Sequence, residues 1–193
     1  MGLEFELKFS ANADDLNSLR AVVPGEETIY QMRTTYYDTP KGDLSQRRWT
    51  LRCRQENEDF VCTLKYPMEG HDRGEAEIAC DSIEKAIPEL CKLTGLEELL
   101  SLTQDGVEAV CGAAFQRIAK TFTFSGTTME LALDSGVLTG GGKEMPLCEV
   151  EIELKEGSRE TATQYAMGLA KTFHLQEEPK SKFRRALDLA KGE

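Results

Sequence analysis

No stretch of this chain is long and apolar enough to cross a bilayer as a helix, which would take roughly 20 consecutive apolar residues. The N-terminus, Met1-Gly2-Leu3-Glu4, has neither a basic n-region nor an apolar h-region. No secretory signal is therefore expected, and the cytoplasm is the expected compartment. Histidine is nearly absent (His71 and His174), and the six cysteines, Cys53, Cys62, Cys80, Cys91, Cys111 and Cys148, include no C-x-x-C pair. That argues against zinc and against a disulfide framework, leaving the thiols as small buried hydrophobes. There is no P-loop: Gly140-Gly141-Gly142-Lys143 lacks the G-x-x-x-x-G-K-[ST] spacing and reads as a flexible hairpin loop. Repeats, low-complexity tracts and long Pro/Gly/Ser linkers are also missing, so residues 1–193 read as one domain.

Positive charge is in deficit. Lys and Arg number 23 against 34 Asp and Glu, a formal net charge of -11. This disfavours nonspecific binding to nucleic acid or to anionic membranes. An anionic ligand would need Lys and Arg concentrated at one place, or a metal.

Strand signals dominate what is present. Residues 3–9 read as one strand, followed by a short helix that Asn12 or Asp14 can cap and that stops before Pro24-Gly25. Further strands are expected over Thr28 to Tyr37, Trp49 to Gln55, Phe60 to Tyr66 and Ala76 to Cys80. A helix opens at Ser82, and a second is expected over roughly 97–115 despite Gly106 and Gly112. Strands return at Phe115 to Phe124, Thr128 to Asp134 and Cys148 to Lys155. A helical segment over about 159–191 ends the chain, with a stripe of Ala162, Tyr165, Ala166, Leu169, Ala170 and Phe173.

Successive side chains of a strand point to opposite faces, and this parity is informative here. One face collects Glu4/Glu6/Lys8, Arg52/Arg54, Thr63/Lys65, Arg73/Glu75/Glu77, Glu130/Asp134 and Glu149/Glu151/Glu153/Lys155. The other collects Phe5/Leu7, Leu51/Cys53, Cys62/Leu64, Ala76/Ile78/Cys80, Met129/Leu131/Leu133 and Val150/Ile152/Leu154. On a single strand, a charged face means solvent exposure. Repeated over six strands, with carboxylates adjacent on the same face, it implies cations facing acids across an enclosed space. A closed barrel of about eight strands has room inside for one small ligand. The fold expected is α+β: a closed eight-stranded antiparallel barrel, or tunnel, with an ionic lumen and helices packed outside. Clustered carboxylates suit a hard divalent cation such as Mg²⁺ or Mn²⁺, and clustered Arg and Lys suit phosphate oxygens. A metal-bridged polyphosphate satisfies both sides.

The chain resembles the CYTH domain, or triphosphate tunnel metalloenzyme, family. The resemblance rests on Glu4-Phe5-Glu6-Leu7-Lys8, Tyr36-Tyr37-Asp38-Thr39, Trp49-Thr50-Leu51-Arg52-Cys53-Arg54, Thr63-Leu64-Lys65, Arg73-Gly74-Glu75-Ala76-Glu77, Arg117, Leu133-Asp134-Ser135-Gly136, Glu149 to Lys155 and Ser181-Lys182, in that order. It implies an eight-stranded tunnel that binds a triphosphate with divalent metal. Glu4, Glu6, Asp134, Glu149, Glu151 and Glu153 are then the expected metal ligands, the pair among the last three being open. Lys8, Arg52, Arg54, Lys65, Arg73, Arg117 and Lys182 are expected to grip phosphates, with Lys8, Arg52, Arg54, Lys65 and Arg117 acting in catalysis. Glu75 and Glu77 would serve a second metal or a water, or pair with the tunnel Arg residues. Within the family the chain is most similar to bacterial inorganic triphosphatases, without the long helical histidine-rich domain that some carry. A class IV adenylate cyclase, a thiamine or nucleoside triphosphatase, and a noncatalytic polyphosphate-binding module are the alternatives.

Overall fold

The computed structural model describes residues 2–68 and 73–193, with side chains from Phe5 onward. His71 and the side chain of Glu4 lie outside the described residues. The strands are β1 (Gly2–Glu4), β2 (Glu6–Ser10), β3 (Glu27–Asp38), β4 (Thr50–Glu56), β5 (Asp59–Pro67), β6 (Arg73–Ala79), β7 (Glu108–Phe124), β8 (Thr127–Gly140), β9 (Lys143–Glu156) and β10 (Gln176–Glu177). The helices are α1 (Ala13–Val22), α2 (Asp43–Gln46), α3 (Ile83–Thr94), α4 (Glu98–Leu102), α5 (Arg159–Phe173) and α6 (Lys182–Lys191). The class is α+β, as expected.

All ten strand segments belong to one antiparallel sheet in the order β1-β6-β5-β4-β3-β7-β8-β9-β2-β10. The strand expected over 3–9 is divided at Phe5, because the segment changes partner there. Gly2–Glu4 pair with β6, and Glu6–Ser10 pair with β9. The Phe5 carbonyl already accepts from the Leu154 amide of β9 at 2.9 Å. One short segment thus reaches both flanks of the sheet. Among the described residues no ladder joins the end strands β1 and β10, so hydrogen bonds do not close the sheet into a barrel.

The helix expected over roughly 97–115 stops at Leu102, and β7 begins at Glu108. Ala109, Ala113 and Ala114 carry helix propensity, but pairing to β3 on one side and β8 on the other overrides it. Gly112 belongs to that strand for a steric reason: a Cβ there would lie 2.9 Å from both Thr139 Oγ1 and the Thr34 carbonyl. The expected flexible loop around Gly140 to Gly142 is instead a two-residue hairpin turn. Gly141 and Gly142 adopt φ of 59° and 73°, the positive values such a turn demands at both positions.

Two apolar layers cover one face of the sheet. Phe9, Leu131, Leu133, Val150 and Ile152 pack with Leu16 and Leu19 of α1 and Ala162 and Ala166 of α5. Leu51, Cys62, Leu64 and Ala76 pack with Leu44 of α2, Ile83, Ile87 and Leu90 of α3, and Leu99 of α4. Trp49 joins the second layer. Helix α6 departs from the expectation that every helix lies outside. It packs Ala186 on Met32, Ala113, Phe115, Leu138 and Leu147, which share parity with Arg117, Asp134 and Glu149. The ionic face is apolar at that end, and α6 covers it with Phe183 and Leu187 beside Tyr36. Each such side chain contributes about 1.5–3 kcal/mol when fully buried.

Candidate functional site

The ionic face borders a cavity of about 1070 Å³. Among the described residues, twelve of the chain's 23 Lys and Arg line it, against nine of its 34 acids. A protein with net charge -11 has therefore gathered an excess of cations at one place.

Strands β4, β5 and β6 carry Arg52, Arg54, Lys65 and Arg73. Arg52 lies 3.6 Å from Glu75 and 3.5 Å from Glu77, and Lys65 lies 3.2 Å from Glu75. The hydroxyl of buried Thr63 donates to Glu77 at 2.9 Å. Glu75 and Glu77 thus stand as partners of the cations, one of the two roles expected for them. Arg54 pairs with Glu56, and its pKa is lowered by burial and by the like charge of Arg52. Crowding of desolvated like charges is what a polyanion relieves.

The facing wall is built by β2, β8 and β9, with Glu6, Glu130, Glu151 and Glu153 lining the cavity. Lys8 lies 3.8 Å from Glu6, while Lys155 binds Glu153 at 2.7 Å and stands 3.7 Å from Glu130. The pairings Glu6↔Glu153↔Glu130 set these carboxylates side by side across three strands.

Behind this wall is a buried network. Ser181 caps α6 by accepting from the Arg184 amide at 3.1 Å, which starts the helix at Lys182. The Lys182 ammonium then reaches Asp134 at 2.8 Å, Glu151 at 2.7 Å and Glu149. Arg117 binds Asp134 through two 2.7 Å hydrogen bonds and also reaches Glu151, while Arg185 closes on Glu149. Burial works against the charge on Lys182, but Glu151, Asp134 and Glu149 outweigh it and raise its pKa. Burial likewise opposes Arg117, which Asp134 and Glu151 hold well above its ordinary value. Burial would raise Glu151, yet Lys182 and Arg117 hold it well below the usual carboxylate range. Burial dominates at Glu149, whose pKa is raised.

Asp134, Glu149 and Glu151 present oxygens within 4.8 Å of one another, a spacing that can hold a metal ion. Three cations, Lys182, Arg117 and Arg185, already match those three carboxylates, so a metal there would have to displace Lys182. Asp134 and Glu149 are fully buried and do not line the cavity. Glu6, Glu151 and Glu153 do line it.

The structure brings most of the sequence-predicted residues to this cavity: Glu6, Lys8, Arg52, Arg54, Lys65, Arg73, Glu75, Glu77, Arg117, Glu151, Glu153 and Lys182. Tyr36 lines it and packs on Phe183 at 5.1 Å, whereas Tyr37 joins the outer layer, so only one of the two faces inward. Arg185 was not expected. Its signal was available in the i, i+3 spacing from Lys182 on one helix face.

Comparison with known proteins places this geometry. The CYTH domain family model matches residues 2–187. An inorganic triphosphatase from Haemophilus influenzae is 33% identical over 128 residues, 64% of this chain and 36% of that protein. The chain thus spans about a third of the length of that relative. A candidate adenylate cyclase from Bacillus halodurans superposes with a TM-score of 0.62 at 19% identity, covering 96% of this chain and 98% of that one. A candidate adenylyl cyclase from Hippeastrum with a dominant triphosphatase activity gives a TM-score of 0.62 at 17% identity, covering 98% and 96%. At these identities the two structures show the fold alone. With the ordered ionic strands, the cavity they line and a family match over residues 2–187, the chain belongs to the CYTH domain family.

Proposed function

We propose that this protein hydrolyses inorganic triphosphate to diphosphate and phosphate with Mg²⁺ or Mn²⁺, inside a tunnel that the sheet encloses around the ionic cavity. The observation that carries the reading is the lining of that cavity, which sets Arg52, Arg54, Lys65 and Arg73 of β4 to β6 opposite Glu6, Glu130, Glu151 and Glu153 of β2, β8 and β9. The triphosphatase relative supports the same reaction, with a small-molecule triphosphate as substrate.

Glu4, Glu6, Glu151 and Glu153 are the proposed metal ligands; their oxygen-only donor set suits a hard divalent cation. Bound there, the ion would polarise phosphoryl oxygens as a Lewis acid. Lys8, Arg52, Arg54, Lys65 and Arg73 would bind nonbridging oxygens, hold the chain in line for water attack at a terminal phosphorus, and neutralise charge on the leaving diphosphate. Positioning and preorganised electrostatics would then supply most of the rate enhancement. Arg117 and Lys182 act at the carboxylate side, where they hold Glu151 ionised and oriented. Asp134 and Glu149 hold those two cations in place. Glu75 and Glu77 orient the cationic wall.

The test is a panel of tripolyphosphate, thiamine triphosphate and ATP with each metal, reading phosphate, diphosphate and cyclic AMP. Fastest phosphate release from tripolyphosphate is expected. Cyclic AMP as the main product from ATP, or metal-dependent binding without turnover, would overturn the proposal.

A further inference from the structure

Helix α2 ends in a turn that is usually closed by glycine. The Trp49 amide donates to the Leu44 carbonyl at 2.9 Å and the Arg48 amide donates to the Ser45 carbonyl at 2.9 Å. Leu44 and Trp49 meet in the same apolar layer. These are the two hydrogen bonds and the hydrophobic contact of a Schellman motif, whose residue after the cap adopts the left-handed conformation. That residue is Arg48, at φ 60°. Helices α3 and α6 close on Gly95 and Gly192 in the same conformation. A side chain at positive φ is strained where glycine is not, and such strain, when retained, points to a use for the side chain.

The turn is firmly held. Buried Asp38 accepts from the Thr39, Leu44 and Ser45 amides at 2.8, 2.9 and 3.1 Å. Arg73 donates to the Arg48 carbonyl at 3.1 Å, and Thr50, two residues on, pairs across the sheet with Lys65. Arg48 thus continues the cationic wall outward past Arg73 and Lys65. It lines the cavity, its side chain is exposed, and its guanidinium has no ion pair or hydrogen bond among the described residues.

We propose that Arg48 is a specificity-determining residue that contacts the unesterified terminal phosphate of an inorganic polyphosphate at the cavity rim. The inference rests on the triphosphatase reading above. Inside the cavity Lys8, Arg52, Arg54 and Lys65 each have a carboxylate partner, so they serve every triphosphate alike. A guanidinium at the rim that is unmatched among the described residues favours a ligand whose chain ends there in a free phosphate, with its additional negative charge. It gains less from ATP bound with its ester-bearing α-phosphate at the rim, because that phosphate carries about one negative charge fewer than a free end.

The experiment compares the wild type with Arg48→Gly, which suits the backbone, and Arg48→Lys, which keeps the charge. Steady-state kinetics and calorimetric binding are measured for tripolyphosphate and ATP at two salt concentrations. Arg48→Gly is expected to raise KM and Kd for tripolyphosphate about tenfold, with kcat and the melting temperature held. The values for ATP should move less than twofold, Arg48→Lys should recover part of the loss, and the salt dependence of tripolyphosphate binding should weaken. Equal shifts for both ligands, no shift for either, or a fall in kcat alone would overturn the assignment. A wild type that turns over tripolyphosphate while Arg48→Gly matches it removes this inference only. A wild type that neither binds nor hydrolyses tripolyphosphate removes the functional reading as well.

Discussion

Replacing Lys182 with Met removes the cation shared by three buried carboxylates. Side-chain exposure is 10% for Lys182, 0% for Asp134 and Glu149, and 11% for Glu151, so solvent cannot substitute for the lost ammonium. Arg117 and Arg185 remain, leaving two cations for three acids. Removing one partner of a buried ion pair costs about 3–5 kcal/mol. At roughly 2–4 °C per kcal/mol for a domain of this size, the melting temperature should fall by about 6–20 °C at neutral pH. The pH dependence has a definite sign. Glu151 is held below the ordinary carboxylate range by Lys182 and Arg117, against burial. Its stabilisation is therefore present above the unfolded-state value, near ~4.3, and is lost as pH falls through the folded-state value. The variant lacks most of this contribution at neutral pH, so the gap between the two proteins should be widest near pH 7 and narrow in acid. Melts followed by circular dichroism from about pH 2 to pH 8 measure it. Lys182→Met combined with Glu149→Gln should recover part of the loss. A Lys182→Met protein that melts with the wild type at pH 7 but shows a raised KM for tripolyphosphate would refute this reasoning and return Lys182 to the role of phosphate ligand.

Three other outcomes follow from the geometry. Glu153→Gln should lower phosphate release from tripolyphosphate by a hundredfold or more, on the order of 3 kcal/mol in the barrier. Its melting temperature should hold, since the Glu153 side chain is 29% exposed; a variant with wild-type kcat at saturating metal would remove Glu153 from the ligand set. Asp38→Ala strands three amides of the Arg48 turn, two of them buried, and should cost about 3 kcal/mol in urea unfolding with an unchanged m-value. A loss below about 1 kcal/mol would mean that the turn holds without that carboxylate. Burial pushes the Cys111 thiol up to about 12, so at pH 8 the thiolate fraction is on the order of 10⁻⁴. Half-buried Cys111 should react with Ellman's reagent far more slowly in the native protein than in urea, and equal rates, resolved by mass spectrometry, would contradict the raised pKa.

The period-two alternation by itself determined that one face of the strands is ionic and the other apolar, and that acids and bases are too concentrated there to be an ordinary solvated surface. Alternation is a local property of backbone geometry, so it survives in a string of letters. The helix expected over roughly 97–115 failed because β7 is made a strand by its neighbours β3 and β8, and propensity carries no record of neighbours. The same holds at Glu4-Phe5-Glu6: parity assigns the side chains, but only pairing shows the segment passing from β6 to β9 at Phe5. Which carboxylates face the cavity was likewise beyond the sequence. Glu149, Glu151 and Glu153 alternate identically, yet α6 folds back onto the ionic face and its Lys182 and Arg185 enclose Glu149, leaving Glu151 and Glu153 along the cavity. That choice depends on where a helix some thirty residues downstream docks, a long-range packing decision that only the tertiary structure makes.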